Sequence, residues 1–306
     1  MHPTSNSSKG FGIGEPVVIV RTKASRTSGS YVRFWLAAIF VALAVASMSV
    51  AAFAQGDPNP ASAAKTPVKA EDPFPPGALS PEDLNKPRPK APFNVTGTWM
   101  VDLSSGFSSF MFGPNYPKFK PAAQAIFDEG KKATAEGRPF HDDIGKCFPA
   151  GMPMIMTRVW PIAMIQTPTV IYMVSGFENA LRIVYIDGRK HLDPDVVVPS
   201  YNGESIGTWE GDTLVVDTTA MIPERHWIDT GVPVSKDFHI IERIKMINGG
   251  KTLEIKYSLF DPQNWEGEWT STKRWNRQDD TDITEVECLP NLNEHLPSTQ
   301  SKLNIN

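Results

Sequence analysis

The sequence contains few cysteines and has a small net charge, and each of these features excludes some classes of protein. It holds two cysteines in 306 residues and carries a net charge of −4. A chain without a clustered basic face has no electrostatic footprint for nucleic acid, so nucleic acid is not an expected partner. No repeat of fixed period is visible in the sequence, which argues against solenoids and propellers.

Signatures of cofactor and metal sites are also missing from the sequence. It has no glycine-rich phosphate loop and no dinucleotide fingerprint, so we expect no cofactor. The segment from His191 to Asp195 holds acceptable metal ligands, but there is no His-x-His pair and Pro194 gives an irregular path, so no metal site is predicted. Ser205 does not stand in a Gly-x-Ser-x-Gly elbow, which argues against a serine hydrolase.

The amino-terminal segment has the pattern of an export signal. Four basic residues between positions 21 and 33 precede an apolar run from Phe34 to Ala54, which ends in the small-x-small pattern Ala-Phe-Ala. This pattern predicts a signal peptide over residues 1–54 and a periplasmic or secreted location. An uncleaved anchor is the alternative, since about 20 apolar residues can span a bilayer. It is the one membrane contact that we expect.

Beyond the signal, the chain divides by composition. Residues 55–92 contain ten prolines and few large apolar side chains. They cannot bury enough surface to offset their ordering entropy, so we predict a disordered tether. Residues 93–290 are predicted to form one domain, and residues 291–306 a flexible tail.

Period-two alternation of apolar residues dominates the predicted domain. One helix is expected from Pro121 to Gly137, with Ala122, Ala125, Ile126 and Phe127 on its apolar side. The other runs, such as TVIYMVS and TLEIKYSLF, are short, β-branched or aromatic, and separated by turn signals. Eight or nine strands with one helix predict a mainly β fold, an antiparallel barrel closed or nearly closed, with the helix near its start.

The stretch SIGTWEGDTLVVDT, residues 205–218, is predicted to be a hairpin. Gly211 supplies the positive φ that a tight turn requires. In the second strand Leu214 and Val216 share one face, while Val215 and Asp217 share the other. Much of the order of this stretch is therefore explained by structure alone.

Cys147 and Cys288 are predicted to form one disulfide. Two cysteines in an exported chain favour a single bond over a catalytic thiol or a metal site. The bond would join the loop after the helix to the end of the domain and restrict the unfolded chain by about 4 kcal/mol. Two free buried thiols are the alternative.

A series of motifs runs in order through the second half of the domain. It comprises Asp187-Gly188-Arg189 with His191, SIG-x-WEGDTLVVDT from Ser205, and Glu242-Arg243. Together these motifs resemble a family of exported bacterial proteins, most of which have no known function. A weaker likeness is to lipocalin-like barrels, whose first strand carries Gly-x-Trp as Gly97-Thr98-Trp99 does here. That likeness implies that Arg274 stacks on Trp99 and that the barrel holds one apolar ligand.

The Asp187 segment is the candidate catalytic site. If the preceding strand continues, Asp187, Arg189 and His191 lie on one face and converge. His191 would act as acid or base, Asp187 would orient it, and Arg189 would bind an anion. The alternative is a solvated strand end after Gly188, in which Asp187 and Arg189 form an ion pair.

A second set of residues is predicted to bind a ligand. His226, Trp227 and Asp229 lie on a loop between strands, where binding groups tend to sit. His239 and Arg243 share one face of the following strand, and Glu242 points to the other face, where a buried polar group needs a partner. Tyr201 completes the set. An ordinary covering loop is the alternative for the first three residues.

These patterns leave three hypotheses about function. The first is an exported barrel that binds a small hydrophobic or aromatic compound, because methionine and aromatic residues are frequent in its strands. The second is a cofactor-free lyase, isomerase or hydratase built on His191 that acts on such a compound. The third is a structural secreted domain, since the same apolar residues have core packing as their default role.

Overall fold

The computed structural model describes residues 74–141, 143–286 and 288, and strands dominate this part of the chain. The predicted signal peptide and the predicted tail lie outside the described residues. The strands are β1 Gly97–Val101, β2 Ile162–Gln166, β3 Val170–Ser175, β4 Leu181–Tyr185, β5 Glu204–Glu210, β6 Thr213–Thr219, β7 Trp227–Asp229, β8 Val232–Pro233, β9 His239–Ile247, β10 Thr252–Phe260 and β11 Trp269–Gln278. The α-helices are α1 Pro81–Leu84 and α2 Pro121–Ala135, and single 3₁₀ turns span Phe107–Phe110, Met154–Met156 and Asn248–Gly250.

Nine of these strands form a closed barrel in the order β1-β11-β10-β9-β6-β5-β4-β3-β2, and β7 pairs with β8 outside it. The predicted mainly β barrel is confirmed, whereas the structure has the short helix α1 besides the predicted helix, and one strand pair is not antiparallel. Strand directions can alternate all the way around a ring only when the number of strands is even. With nine strands one neighbouring pair must be parallel, and this pair is β4 with β5. Residues 186–203 form the crossover that a parallel pair requires.

The two ends of the barrel differ in how they are covered. We call upper the end where β1, β3, β6 and β10 finish and the other five barrel strands begin. Two long connections leave from it, residues 102–161 with α2 and residues 220–238 with β7 and β8. They pack on each other so closely that a Cβ on Gly130 of α2 would lie 2.8 Å from the Cα atom of Gly231.

Helix α2 begins and ends as its sequence predicts. Pro121 opens the first turn, and Gly137 follows the helix with a φ of +67°. Its buried face contains Ala123 and Phe127, whereas Ala122 and Ala125 are exposed. The predicted apolar side is therefore right at Phe127 and wrong at the two alanines, because small alanines mark the buried face of a helix only weakly.

The predicted hairpin from residue 205 to 218 is confirmed. Strands β5 and β6 are joined by Gly211, with a φ of +60°, and Asp212. Leu214 and Val216 are fully buried inside the barrel, and Asp217 lies on the outer wall.

The lower end of the barrel is built around the Gly-x-Trp motif. Trp99 is buried and its Nε1 donates to the carbonyl of Val95 at 2.8 Å. Arg277, not the predicted Arg274, lies over the indole at 4.4 Å, because Arg277 is the cross-strand partner of Trp99. Arg274 has the opposite parity and pairs with Glu254 on the outer wall. A Cβ at Gly97 would come within 2.2 Å of the Arg277 guanidinium, so glycine makes room for this stacking.

Residues 74–92 pack on the domain, which corrects the described part of the predicted tether. Ser80 caps α1 by accepting from the backbone of Asp83, and the buried Asp83 pairs with Arg88 at 2.6 Å. The carbonyl of Ala78 accepts from Thr169 Oγ1 at 2.5 Å. Proline-rich composition concealed these specific polar anchors, so the packed part of the chain extends upstream of residue 93. Among the described residues no helix combines the length and apolar character needed to cross a membrane.

The predicted disulfide between Cys147 and Cys288 is present, with the two Cα atoms 5.5 Å apart. It joins the connection that follows α2 to the chain beyond β11. Because the bond closes a separation of 141 residues, it constrains nearly the whole barrel.

Candidate functional site

Asp187 and Arg189 form an ion pair with each other. Strand β4 ends at Tyr185, so the alternation that was expected to align both residues with His191 does not occur. Arg189 Nη2 lies 2.5 Å from Asp187 Oδ2, and the guanidinium lies 4.0 Å from the centre of the Tyr185 ring. Burial raises the pKa of Asp187, but hydrogen bonds from Arg189 outweigh it and leave the pKa lowered. This arrangement matches the alternative interpretation of the motif.

His191 lies instead against the outer wall of the barrel, where it meets two carboxylates. Its Nδ1 is 2.7 Å from Glu204 Oε2 on β5, and its Nε2 is 3.5 Å from Asp217 Oδ1 on β6. The same Asp217 oxygen is 2.6 Å from Nε2 of His239 on β9. The expected pairing of His191 with Asp187 is thus corrected. The crossover carries His191 away from Asp187 and onto the neighbouring strands.

Electrostatics favour a positive charge on His191. The Asp217 carboxylate raises the pKa of His191 most, burial opposes that shift, and Glu204 adds to it. Burial alone would raise the pKa of Asp217, but hydrogen bonds from His191 and His239 hold it well below its usual range. Both ring nitrogens of His191 face carboxylates, so neither is presented to a substrate. We call His191, Glu204, Asp217 and His239 the outer cluster.

The predicted ligand-binding residues do not converge on one site. Arg243 pairs with Glu210 at 2.8 Å on the exposed wall. His239 stacks on Phe260 with ring centres 5.7 Å apart and belongs to the outer cluster. His226, Trp227 and Asp229 lie in the upper connection of residues 220–238, and Tyr201, at the end of the crossover, donates to the carbonyl of Glu224 at 3.0 Å.

His226 is buried at the centre of these upper connections. Its Nδ1 donates to the carbonyl of Ile222 at 2.8 Å, and its ring lies 5.6 Å from that of Tyr201. Its Nε2 faces the backbone at Gly151, where a Cβ would come within 2.4 Å, and has no well-formed hydrogen bond among the described residues. Burial lowers the pKa of His226 to about 4. The imidazole is therefore neutral at pH 7.

Trp227 and Asp229 join the two upper connections. Trp227 Nε1 donates to Asp143 Oδ2 at 2.9 Å, and its ring stacks on His141 with centres 4.7 Å apart. Tyr116 donates to Asp229 Oδ2 at 3.1 Å, and burial raises the pKa of Asp229. These contacts fit a covering role for the segment, although Trp227–Asp229 form strand β7 rather than the predicted loop.

The interior of the barrel contains a buried ion pair that sequence reasoning located only in part. Glu242 was expected to point away from Arg243 and to need a partner if buried. That partner is Arg182 on β4, which contacts both Glu242 oxygens, with Nη1 3.1 Å from Oε1. Arg182 also donates to Ser205 Oγ at 3.2 Å and to Thr218 Oγ1 at 3.1 Å. We call these four residues the inner belt.

Sequence reasoning missed Arg182 because it stands within the apolar run ALRIVYID. Its two neighbours, Leu181 and Ile183, are not buried, whereas Arg182 is 1% exposed. A charged residue at the inward position of a period-two strand was the signal that could have identified it.

Three hydrogen-bond donors inside the barrel have no partner among the described residues. They are Tyr257 Oη, Trp269 Nε1 and Trp275 Nε1. Tyr257 is the cross-strand partner of Glu242, and burial first and the Glu242 charge second raise its pKa well above its usual value. Buried hydrogen-bond donors are nearly always paired in native proteins, so three unpaired donors in one interior require an explanation.

Phe112, from the connection after β1, fills the upper part of this interior. Its ring contacts Tyr257 and Trp269 edge to face, with centres 5.3 Å and 5.7 Å apart. Lys273 on β11 lies 5.6 Å from the ring centre and donates to the carbonyls of Ser109, at 2.7 Å, and Met111. The upper end is therefore closed by the chain itself rather than open and rimmed by charge.

A separate open depression of about 530 Å³ lies beside the disulfide and is lined by Glu178, Asn179, Glu285, Val286 and Cys288. It contains none of the predicted binding or catalytic residues. Within the described ranges, no group of three or more His, Cys, Asp or Glu is arranged to hold a metal ion.

Comparison with known proteins leaves the family open. No family model matches the chain, and no curated protein matches it. Among solved structures it is similar to a "secretary abundant heat soluble (SAHS) protein" from Ramazzottius varieornatus, with 11% identity over 62% of this chain and 98% of that chain and a TM-score of 0.23. Likeness at that level carries no functional argument. The barrel assignment rests on the strand pairing.

Proposed function

We propose that this protein is an exported barrel that binds a small, largely apolar compound inside its upper half. The observation that carries the proposal is the pair of neighbouring buried donors without partners on Tyr257 and Trp269, both of which contact Phe112. An acceptor oxygen on a bound compound would satisfy them where the protein does not. Aromatic walls beside those donors favour a compound with a ring.

The inner belt supports an interior site rather than an outer one. Arg182 and Glu242 satisfy each other, so together they add no net charge, and Ser205 and Thr218 complete the hydrogen bonds of the guanidinium. A ligand at Tyr257 would lie beside this belt, because Tyr257 is the cross-strand partner of Glu242. The residues predicted earlier to bind the ligand are engaged with protein partners elsewhere.

Export remains part of the proposal. The disulfide between Cys147 and Cys288 supports an oxidising compartment. The predicted signal peptide and the resemblance to exported bacterial proteins point the same way.

Catalysis by His191 is less well supported than binding. Glu204 holds Nδ1 of its ring, Nε2 is buried 3.5 Å from Asp217, and Asp187 and Arg189 neutralise each other at a different place. The catalytic hypothesis required these three groups to converge on one substrate.

The test is retention and titration of compounds by the full chain purified from an export-competent host. Native mass spectrometry would identify what co-purifies, and fluorescence of the buried tryptophans would follow binding of benzyl alcohol, benzoate and toluene. Tyr257→Phe removes one hydroxyl and should weaken oxygen-bearing compounds by about 1 kcal/mol, about five-fold, while leaving toluene unchanged.

Tyr172→Phe is the matched control, because it removes a hydroxyl from the outward-facing side of β3. It should leave every affinity as in the unaltered protein. If no compound is retained and none changes the fluorescence of the unaltered protein or of Phe112→Ala, the binding proposal is overturned and a structural role is left.

A further inference from the structure

The Phe112 ring and two nearby backbone carbonyls have the arrangement that a bound ligand would have. The phenyl ring lies between Tyr257 and Trp269, and the carbonyls of Ser109 and Met111 accept from the ammonium of Lys273. A ring beside two acceptor oxygens that share one cation is the arrangement of an aromatic carboxylate. Here the chain supplies each part from one connection.

Lys273 is an unusual residue for the inside of a barrel. It pairs across strands with the fully buried Ile255, is itself 7% exposed, and has no carboxylate within ion-pair distance among the described residues. A buried ammonium normally has an anionic partner, because desolvation penalises the charge. Burial lowers the pKa of Lys273, and the charge of Asp229 opposes that shift only at longer range.

We infer that the natural occupant of this interior is an aromatic carboxylate, whose ring takes the place of Phe112 and whose carboxylate takes the place of the two carbonyls on Lys273. This inference rests on the proposed function and adds the chemical class of the ligand. Tyr257 Oη and Trp269 Nε1 are the donors available to a second oxygen. Edge-to-face contacts select an aromatic ring, and Lys273 selects the charge.

The segment that carries Phe112 must leave before such a ligand can enter. Its contacts compete with the ligand, so they lower the affinity of the unaltered protein. Shortening Phe112 should therefore tighten binding, whereas removing the Lys273 ammonium should abolish the preference for an anion.

The experiment compares phenylacetate with its uncharged isostere phenylacetamide by calorimetry at pH 7 on the full chain. Phe112→Ala should bind phenylacetate about ten-fold more tightly than the unaltered protein and prefer it about ten-fold over the amide. Adding Lys273→Met to Phe112→Ala should equalise the two compounds. If Phe112→Ala does not fold, Phe112→Leu keeps most of the apolar volume and should show the same preference.

The outcomes separate the two levels of the proposal. If phenylacetamide binds as tightly as phenylacetate in every variant, the carboxylate inference is overturned and interior binding stands. The inference is also overturned if Lys273→Met leaves the preference intact. If neither compound binds any variant that folds, the proposed function fails together with it.

Discussion

The inner belt and the outer cluster lie back to back on the same strands. Strand β5 contributes Ser205 inside and Glu204 outside, and β6 contributes Thr218 inside and Asp217 outside. Strand β9 adds Glu242 to the belt and His239 to the cluster. Neighbouring polar residues thus meet opposite environments, because successive side chains of a strand point to opposite faces.

Burial, rather than residue type, decides how much a polar contact contributes to the free energy of unfolding. Inside the wall, Arg182 and Glu242 have no access to water, so each depends on the other. Outside it, Asp217 and His191 remain partly hydrated, and solvent and salt screen their attraction. The same chemistry should therefore differ several-fold in its effect on stability.

The largest effect on stability should come from breaking the ion pair of the inner belt. Glu242→Gln leaves Arg182 charged, buried and unpaired, so we expect the free energy of unfolding to fall by about 3–5 kcal/mol. Chemical denaturation at pH 7 measures it. Replacing both partners, as Arg182→Met with Glu242→Leu, should recover most of the loss. A loss below about 1 kcal/mol for Glu242→Gln would contradict a sealed pair.

Buried His226 should make the protein sensitive to acid. Its pKa is about 4 in the folded state, against about 6.5 when unfolded, so the unfolded chain binds the proton first as pH falls. Stability should drop by about 3 kcal/mol as pH falls from 7 through 4. The measurement is the difference in unfolding free energy between the unaltered protein and His226→Gln at each pH. A difference that stays constant over this range would argue that His226 is not buried neutral.

His191 of the outer cluster should show the opposite pH dependence. Its folded pKa is raised, so its stabilisation is complete below about 6.5 and disappears as pH rises through the folded value. Asp217→Asn should cost about 1 kcal/mol at pH 6 and less at pH 9. Denaturation at both pH values, repeated in high salt, tests this expectation. An effect that grows with pH would exclude a charged His191.

The smallest effect on stability is expected at the exposed ion pair on the outer wall of the barrel. Arg243 and Glu210 are both about half exposed, with side-chain exposures of 48% and 54%. Arg243→Gln should change the unfolding free energy by less than about 0.5 kcal/mol. The same denaturation series provides the comparison, and a change near that of Glu242→Gln would remove the distinction between the two faces of the wall.

Local signals predicted much of the barrel but little of the candidate site. Short-range pattern, turn chemistry and the number of cysteines predicted four features of the fold. These are helix α2, the Gly211 hairpin, the disulfide and the inward position of Leu214. The partner of Glu242 did not follow, since Arg182 is 60 residues away in sequence and becomes a neighbour only when the sheet closes. Arg277 rather than Arg274 covers Trp99 because the register of β1 on β11 decides the pairing.

By itself, the sequence determined the barrel strands, their turns and the side of each strand that is apolar, because these depend on residues a few positions apart. Tertiary structure alone decided which polar groups share an environment. A ring of nine strands requires one parallel pair, and its crossover moves His191 away from Asp187 to Glu204. Closure of the barrel then excludes water from Arg182, whereas His191 on the outer wall stays partly exposed to water.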